Sequence, residues 1–491
     1  MKKIIVLGGG AAGWLTALYL KKVFNNLEIK LIESEKIGIL GAGEGSTRQL
    51  INFLNYINID IKDLLNKTKG TIKYGINFEN WNGDGQRYFH GFSSKNKFNN
   101  FSVSNLFNDG CYLQFLNNSI SQNLNLNHYT LGGILTEQNK IDLQNQDFSI
   151  HFDAHKIANY LKEVAILRGV VHKVGEVVSI NNNNLGDVTE IVLQDKSIHQ
   201  CDFIFDCSGF KRLIIGDFYK TPWKDYQKHL PMKKAVPFFL DQEEEIKPCT
   251  HAIAMKYGWI WKIPLQHRFG SGYIYDSDYI NEEQALIEAE KKFNQKLISP
   301  KVISFQAGRF HRFWVKNCIA VGLAAGFTEP LEATSLWLTV QQLLLLSHFK
   351  EYLFEASKKK KENYNEIISN SNDDILDFLY LHYITKRNDS EFWRNFKNKT
   401  IMPEGLKEKL DNLINGDFLS TNFDLKKSYA FFDLESYLYV GHGLGLIDNK
   451  KIKEFVGLKP NIYDYQSDIL RHTTNLKTHS YFLKSIKDGI L

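Results

Sequence analysis

Three glycines, Gly8, Gly10 and Gly13, carry the spacing of a dinucleotide fingerprint, and the small residues Ala11 and Ala12 lie between them. Gly8 permits a tight turn, Gly10 lets a pyrophosphate approach the backbone, and Gly13 allows close packing of a following helix. The acidic residue Glu33 follows Gly13 by about 20 positions, where a ribose hydroxyl partner is expected. A second group is Gly258-Trp259-Ile260-Trp261-Lys262-Ile263-Pro264, which holds two of the eight tryptophans one residue apart. A period of two points both indoles to the same side of a strand, and Pro264 closes it. The plain reading is a core strand. The five cysteines, Cys111, Cys201, Cys207, Cys249 and Cys318, are odd in number and show no C-x-x-C spacing. They indicate neither a disulfide framework nor a zinc site, and no metal is expected.

The glycines need a strand before them and a helix after them. Residues 3–8 form an apolar run typical of a buried parallel strand, 11–23 read as a helix, and 27–34 as a second strand. Further strands are expected at 201–209 and 317–324, the latter ending at Gly322 and Leu323, before a helical pattern from about Ser335 to Phe354. A strand that returns to the cofactor about three hundred residues after the fingerprint favours FAD over NAD. From about 345 the pattern is mostly helical, with a loop at Asn415-Gly416. The expected fold is α/β, an FAD-binding Rossmann-type body over 1–345 that includes inserted substrate-side segments, with a mainly helical C-terminal region over 346–491.

Composition narrows the function classes. The 491 residues are 43% hydrophobic and 13% aromatic, which describes a folded chain with ample core. The net charge of +5, from 60 basic and 55 acidic residues, is too diffuse to argue for nucleic acid. Met-Lys-Lys-Ile-Ile resembles the start of a signal peptide but runs directly into Gly8-Gly9-Gly10, and Leu336–Phe349 is too short and too interrupted by glutamines to span a membrane. A soluble cytoplasmic protein is expected, and the sequence leaves open whether copies associate.

Several separated segments together resemble the flavin-dependent halogenases, the tryptophan-halogenase-like family. Gly8-Gly9-Gly10-Ala11-Ala12-Gly13-Trp14 looks like that family's opening, and Gly258 to Pro264 like its G-W-x-W-x-I-P signature. Asp206-Cys207-Ser208-Gly209-Phe210, Gly272-Tyr273-Ile274-Tyr275, Glu329-Pro330-Leu331-Glu332 and Leu381-His382-Tyr383 follow in the family's order.

The resemblance implies a two-component enzyme. A separate flavin reductase supplies FADH2, oxygen and a bound halide (chloride, bromide or iodide) yield hypohalous acid, and the acid travels within the protein to a lysine beside an aromatic substrate. That lysine matches Lys73, which either polarises the oxidant as an ammonium or forms a haloamine as a neutral amine; the second role requires a lowered pKa. Glu332 matches the active-site glutamate. Thr334 and Ser335 match the turn against which the halide lies, at a helix N-terminus suited to anions. Gly43 belongs to the matching loop Gly41–Thr47 over the flavin. Trp259, Trp261 and Pro264 match the wall between flavin and substrate. The plainer readings are an exposed strand lysine, an acidic residue in a first helical turn and an ordinary N-cap.

The chain departs from the family pattern at Ala333, commonly serine, and at Gly45, where the loop more often has alanine; the extra glycine suggests a more mobile cover. Ser436-Tyr437 replaces a common Ser-Trp, so free tryptophan is one candidate among indoles, phenols and carrier-bound aromatics. The competing readings are a flavin-dependent aromatic monooxygenase, which needs neither Lys73 with Glu332 nor the paired indoles, and a non-catalytic flavin-binding redox sensor.

Overall fold

The computed structural model describes residues 1–36, 43–95, 130–297, 302–416, 431–447 and 465–490. Gly41, Ala42 and Cys111 lie outside the described residues. Lys3–Leu7 is apolar on both faces, as a central parallel strand must be. It runs between Glu28–Glu33 and Phe203–Asp206, in parallel with both. Val171–Val174 extends the sheet beyond Glu28–Glu33, and Cys318–Ala320 extends it beyond Phe203–Asp206. Helix Ala11–Val23 crosses from the first strand to the second, completing the expected βαβ opening. The returning strand is shorter than the apolar run suggested. It ends at Ala320, because Gly322–Ala324 turns into a 3-10 helix.

A second sheet holds seven strands, with Phe269–Tyr275, Gly258–Pro264, Thr250–Met255 and Gly75–Glu79 at its centre. Gly258–Pro264 occupies the residues expected of it, and Trp259 and Trp261 lie on one face with ring centroids 6.4 Å apart at 64°. Gly272, opposite Trp261, has no side chain, and a Cβ there would overlap the indole. The two faces of this sheet serve different cores. Ile253, Ile260 and Tyr273 pack with helix Glu282–Phe293, whereas Ala252, Ala254 and Trp259 pack with the helices beyond residue 358.

That second core joins helices Lys358–Leu381, Glu391–Lys399, Glu404–Asn415 and Leu434–Gly443 to strand Gly75–Glu79, so the helical region and the body share one apolar cluster. Beyond Leu346 the named elements among the described residues are all helical. The α/β body with its helical C-terminal region is therefore observed. A small third sheet sets Ser149–Phe152 between Glu44–Gly45 and Thr71–Lys73. Helix His479–Lys487 braces it: the Ile72 N–H donates to His479 Nε2 at 3.0 Å, and His479 Nδ1 donates to the Ile246 carbonyl at 2.8 Å. Among the described residues no helix is long and apolar enough to cross a membrane.

Candidate active site

The turn after Lys3–Leu7 is shaped for close approach. Gly8 has φ +124°, and a Cβ there would overlap the Cys207 carbonyl oxygen. A Cβ on Gly13 would overlap the Gly8 carbonyl oxygen. Gly10 is different: no heavy atom lies within 4 Å of where its Cβ would stand. Helix Ala11–Val23 begins there without a side-chain cap or an acidic residue in its first turn, so its N–H groups suit an anion. Glu33 Oε1 accepts from His172 Nε2 at 2.7 Å and Lys162 Nζ at 2.8 Å, while its other oxygen stands over Gly9. Gly322, at φ +68°, packs so tightly on Ala12 that a Cβ would come 2.7 Å from the alanine methyl. Leu323 follows in the same 3-10 turn. The open glycine, the uncapped helix start and the carboxylate at the second strand fit FAD. Gly43 lies against Gly270, Leu265 and Ile263.

Lys73 ends strand Thr71–Lys73 and is 1% exposed, which removes the exposed-lysine reading. Its Nζ donates to the Ser46 carbonyl at 3.0 Å and lies 5.8 Å from the centre of the Phe92 ring. Burial lowers its pKa to about 8, against the opposing pull of the Glu332 and Cys249 charges. Gly45 pairs with His151 in the small sheet, and a Cβ there would lie 3.3 Å from Lys73 Nζ.

Glu332 is buried at the end of the 3-10 turn Pro330–Glu332. Its Oε1 accepts from His90 Nδ1 at 2.9 Å and His382 Nε2 at 3.0 Å. Burial alone would raise its pKa, but the two histidines bring it down to about 2. Because His382 Nδ1 faces the Phe378 carbonyl at 2.9 Å, both ring nitrogens of His382 point at acceptors. His90 lies against Phe378, Phe432 and Tyr439, so aromatic rings border the histidine that holds the carboxylate.

Helix Thr334–Leu346 starts at Thr334, with Ala333 as N-cap in the left-handed region at φ 55°. An alanine supplies no capping oxygen, and the first turn holds no acid, so the N–H groups of Thr334 and Ser335 meet no competing anion. Ser335 and Gly322 line one small cavity with Thr328, Gly326 and Gln342, which brings the turn proposed for halide and the glycine proposed for flavin together. Glu329 directly precedes the 3-10 turn that ends in Glu332. Its Oε2 accepts from Trp259 Nε1 at 2.8 Å and Tyr383 OH at 2.6 Å, and burial raises its pKa to about 7. Pro264 anchors the far end of the tryptophan strand, its carbonyl accepting from Thr71 Oγ1 at 2.7 Å.

The structure thus gathers Lys73 with the charge of Glu332, and Thr334 and Ser335 with Gly322. The sequence reading missed the partners. His90, and His382 as more than part of Leu-His-Tyr, were absent from it; so were Glu329 as the tether of Trp259, and His151 and Thr250 behind Lys73. The ordered motifs containing Glu329 and His382 were the available signals.

The family model described as tryptophan halogenase matches residues 3–459. The 7-chloro-L-tryptophan 6-halogenase KtzR of Kutzneria sp. (strain 744) is 30% identical over 447 residues, covering 83% of this chain and 84% of that protein. The tryptophan 7-halogenase RebH of Lentzea aerocolonigenes is 28% identical, with 91% and 90% covered. Among solved structures, BrvH, a flavin-dependent halogenase from Brevundimonas sp. BAL3, superposes with a TM-score of 0.87 at 26% identity over 99% of both chains.

Proposed function

The chain belongs to the tryptophan halogenase family and is an FADH2-dependent halogenase, and from that premise we propose that Lys73 and Glu332 carry halogen transfer onto an indole- or phenol-type arene. With FADH2, oxygen and halide bound, oxygen would be the oxidant, taking two electrons from FADH2 and two from the halide to leave FAD, water and hypohalous acid. Enzymes of this family typically work with a separate flavin reductase and an aromatic substrate. For this chain we place the FAD-binding body at 1–345, the helical substrate side at 346–491 and the reaction in the cytoplasm.

Gly8, Gly10, Gly13, Ala11, Ala12, Glu33, Gly322 and Leu323 hold the cofactor, Gly43 belongs to its cover, and Thr334 and Ser335 hold the halide with backbone N–H groups. Trp259, Trp261 and Pro264 exclude the arene from the flavin side, with Glu329 tethering the first indole. At neutral pH Lys73 is an ammonium, since its pKa is about 8. It donates to the oxygen of hypohalous acid, so the hydroxyl leaves as water when the arene takes the halogen. Glu332 stays ionised above a pKa of about 2 and balances the positive charge that develops on the ring. A ring bearing both hydrogen and halogen is a strong acid, so even this weak base can take its proton.

The observation that carries the reading is a buried lysine under the influence of a buried, ionised glutamate beside aromatic rings. The test is incubation with a flavin reductase, FAD, NADH, oxygen and each halide against an aromatic panel that includes tryptophan, indole and phenols. A halogen isotope pattern in the product is expected. Products that gain only oxygen would make the chain a monooxygenase.

A further inference from the structure

The hydrogen bonds behind Lys73 form a chain whose direction follows from its end. The Pro264 carbonyl can only accept, so Thr71 Oγ1 donates to it at 2.7 Å and must itself accept from His151 Nδ1 at 2.9 Å. His151 therefore bears its hydrogen on Nδ1, and Nε2 accepts from the Thr250 hydroxyl at 2.9 Å. This imidazole is neutral, because burial first and the Lys73 charge second hold its pKa well below the ordinary value. With its hydrogen committed to His151, Thr250 offers only lone pairs to any other neighbour.

Gly45 faces the same place. A Cβ on it would lie 3.3 Å from Lys73 Nζ, 3.3 Å from Thr250 Oγ1 and 3.6 Å from His151 Cδ2. Gly45 is not among the positive-φ glycines, so its backbone does not require the residue. A side chain there would crowd both the amine and the hydroxyl oxygen. Thr250 also lies on the sheet face of Ala252 and Ala254, which pair with Trp261 and Trp259 on the neighbouring strand. This place is thus next to the wall proposed to border the oxidant's route.

We propose that Thr250, oriented by His151, and the open side of Gly45 form with Lys73 the seat that holds hypohalous acid for transfer. Lys73 donates to the oxidant's oxygen, Thr250 accepts its O–H, and the halogen is left to face the arene. No bond is made or broken in seating it. Thr250 contacts the oxidant, whereas His151 is a positioning residue. The inference deepens the function proposed above and rests on it.

The test compares the wild-type chain with Gly45→Ala, Thr250→Val, Thr250→Ser and Lys73→Ala. Each is supplied with flavin reductase, FAD, NADH, oxygen and bromide, an arene substrate, and an excess of a halogen-accepting β-diketone that reports escaped hypobromous acid. The readout is the ratio of halogenated arene to halogenated diketone, which does not depend on total turnover. Gly45→Ala and Thr250→Val are expected to lower the ratio by about tenfold, the order of one lost hydrogen bond, and Thr250→Ser to recover most of it. If both keep the wild-type ratio while Lys73→Ala loses arene product, the seat is overturned and the function stands. If Lys73→Ala also keeps the ratio, the assignment of Lys73 itself is overturned, and the seat with it.

Discussion

Lys73 and Glu332 are buried charges of opposite sign whose pKa values are moved in ways that suit different tasks. Lys73→Ala should abolish arene halogenation while oxygen-dependent flavin turnover continues, as product analysis beside oxygen consumption will show. Single-turnover halogenation should fall as pH rises through about 8, because the ammonium is then lost; a rate that climbs through that point would assign the neutral amine instead. Glu332→Gln should retain flavin binding and slow halogenation by about 10²–10⁴, and an unchanged rate would remove Glu332 from the mechanism. Glu332 was legible in an ordered motif and Lys73 through the family resemblance. Their partners were not, because His90 and Glu332 are separated by 242 positions and a hydrogen bond leaves no periodicity in a sequence. Gly45 was legible as an unusual glycine but misplaced, since only its pairing with His151 turns its bare side toward Lys73.

At the level of elements, the paired indoles depend on a neighbour that has no side chain. Gly272→Ala should push the Trp261 ring aside and destabilise the protein by about 1–3 kcal/mol, as overpacking does. If the pair walls the arene from the flavin, the same variant should also yield some oxygenated arene, measurable by product mass. Strand Gly258–Pro264 was readable because its period-2 pattern and terminal proline are local signals. The first βαβ unit was readable for the same reason. The pairing of Thr250–Met255 with Gly75–Glu79 was not, since a parallel contact between strands about 175 positions apart arises from the assembled sheet. The turn proposed for halide was legible as a helix start, yet its cap proved to be a left-handed alanine rather than a threonine or serine oxygen.

On the scale of the whole molecule, the helical C-terminal region was visible in composition and punctuation, whereas its grip on the body was not. His479 is held neutral by burial, its pKa lowered from 6.5 to about 4. Unfolding lets it take up a proton between those values, so its contribution to stability is complete above pH 6.5 and is lost as pH falls toward 4. Urea unfolding from pH 4 to 7 should show this slope. His479→Gln, which keeps a donor and an acceptor without the titration, should flatten it, and an unaltered slope would assign the acid sensitivity to other groups.

The contact between His479 and the Ile72 amide also carries a consequence for biosynthesis. The strand that ends in Lys73 is translated more than four hundred residues before the helix that steadies it. A nascent or clipped chain lacking that helix would leave the Ile72 amide, next to Lys73, without its His479 acceptor. Docking of helix His479–Lys487 is thus a late step in folding, completing the hydrogen bonding of a strand made long before it.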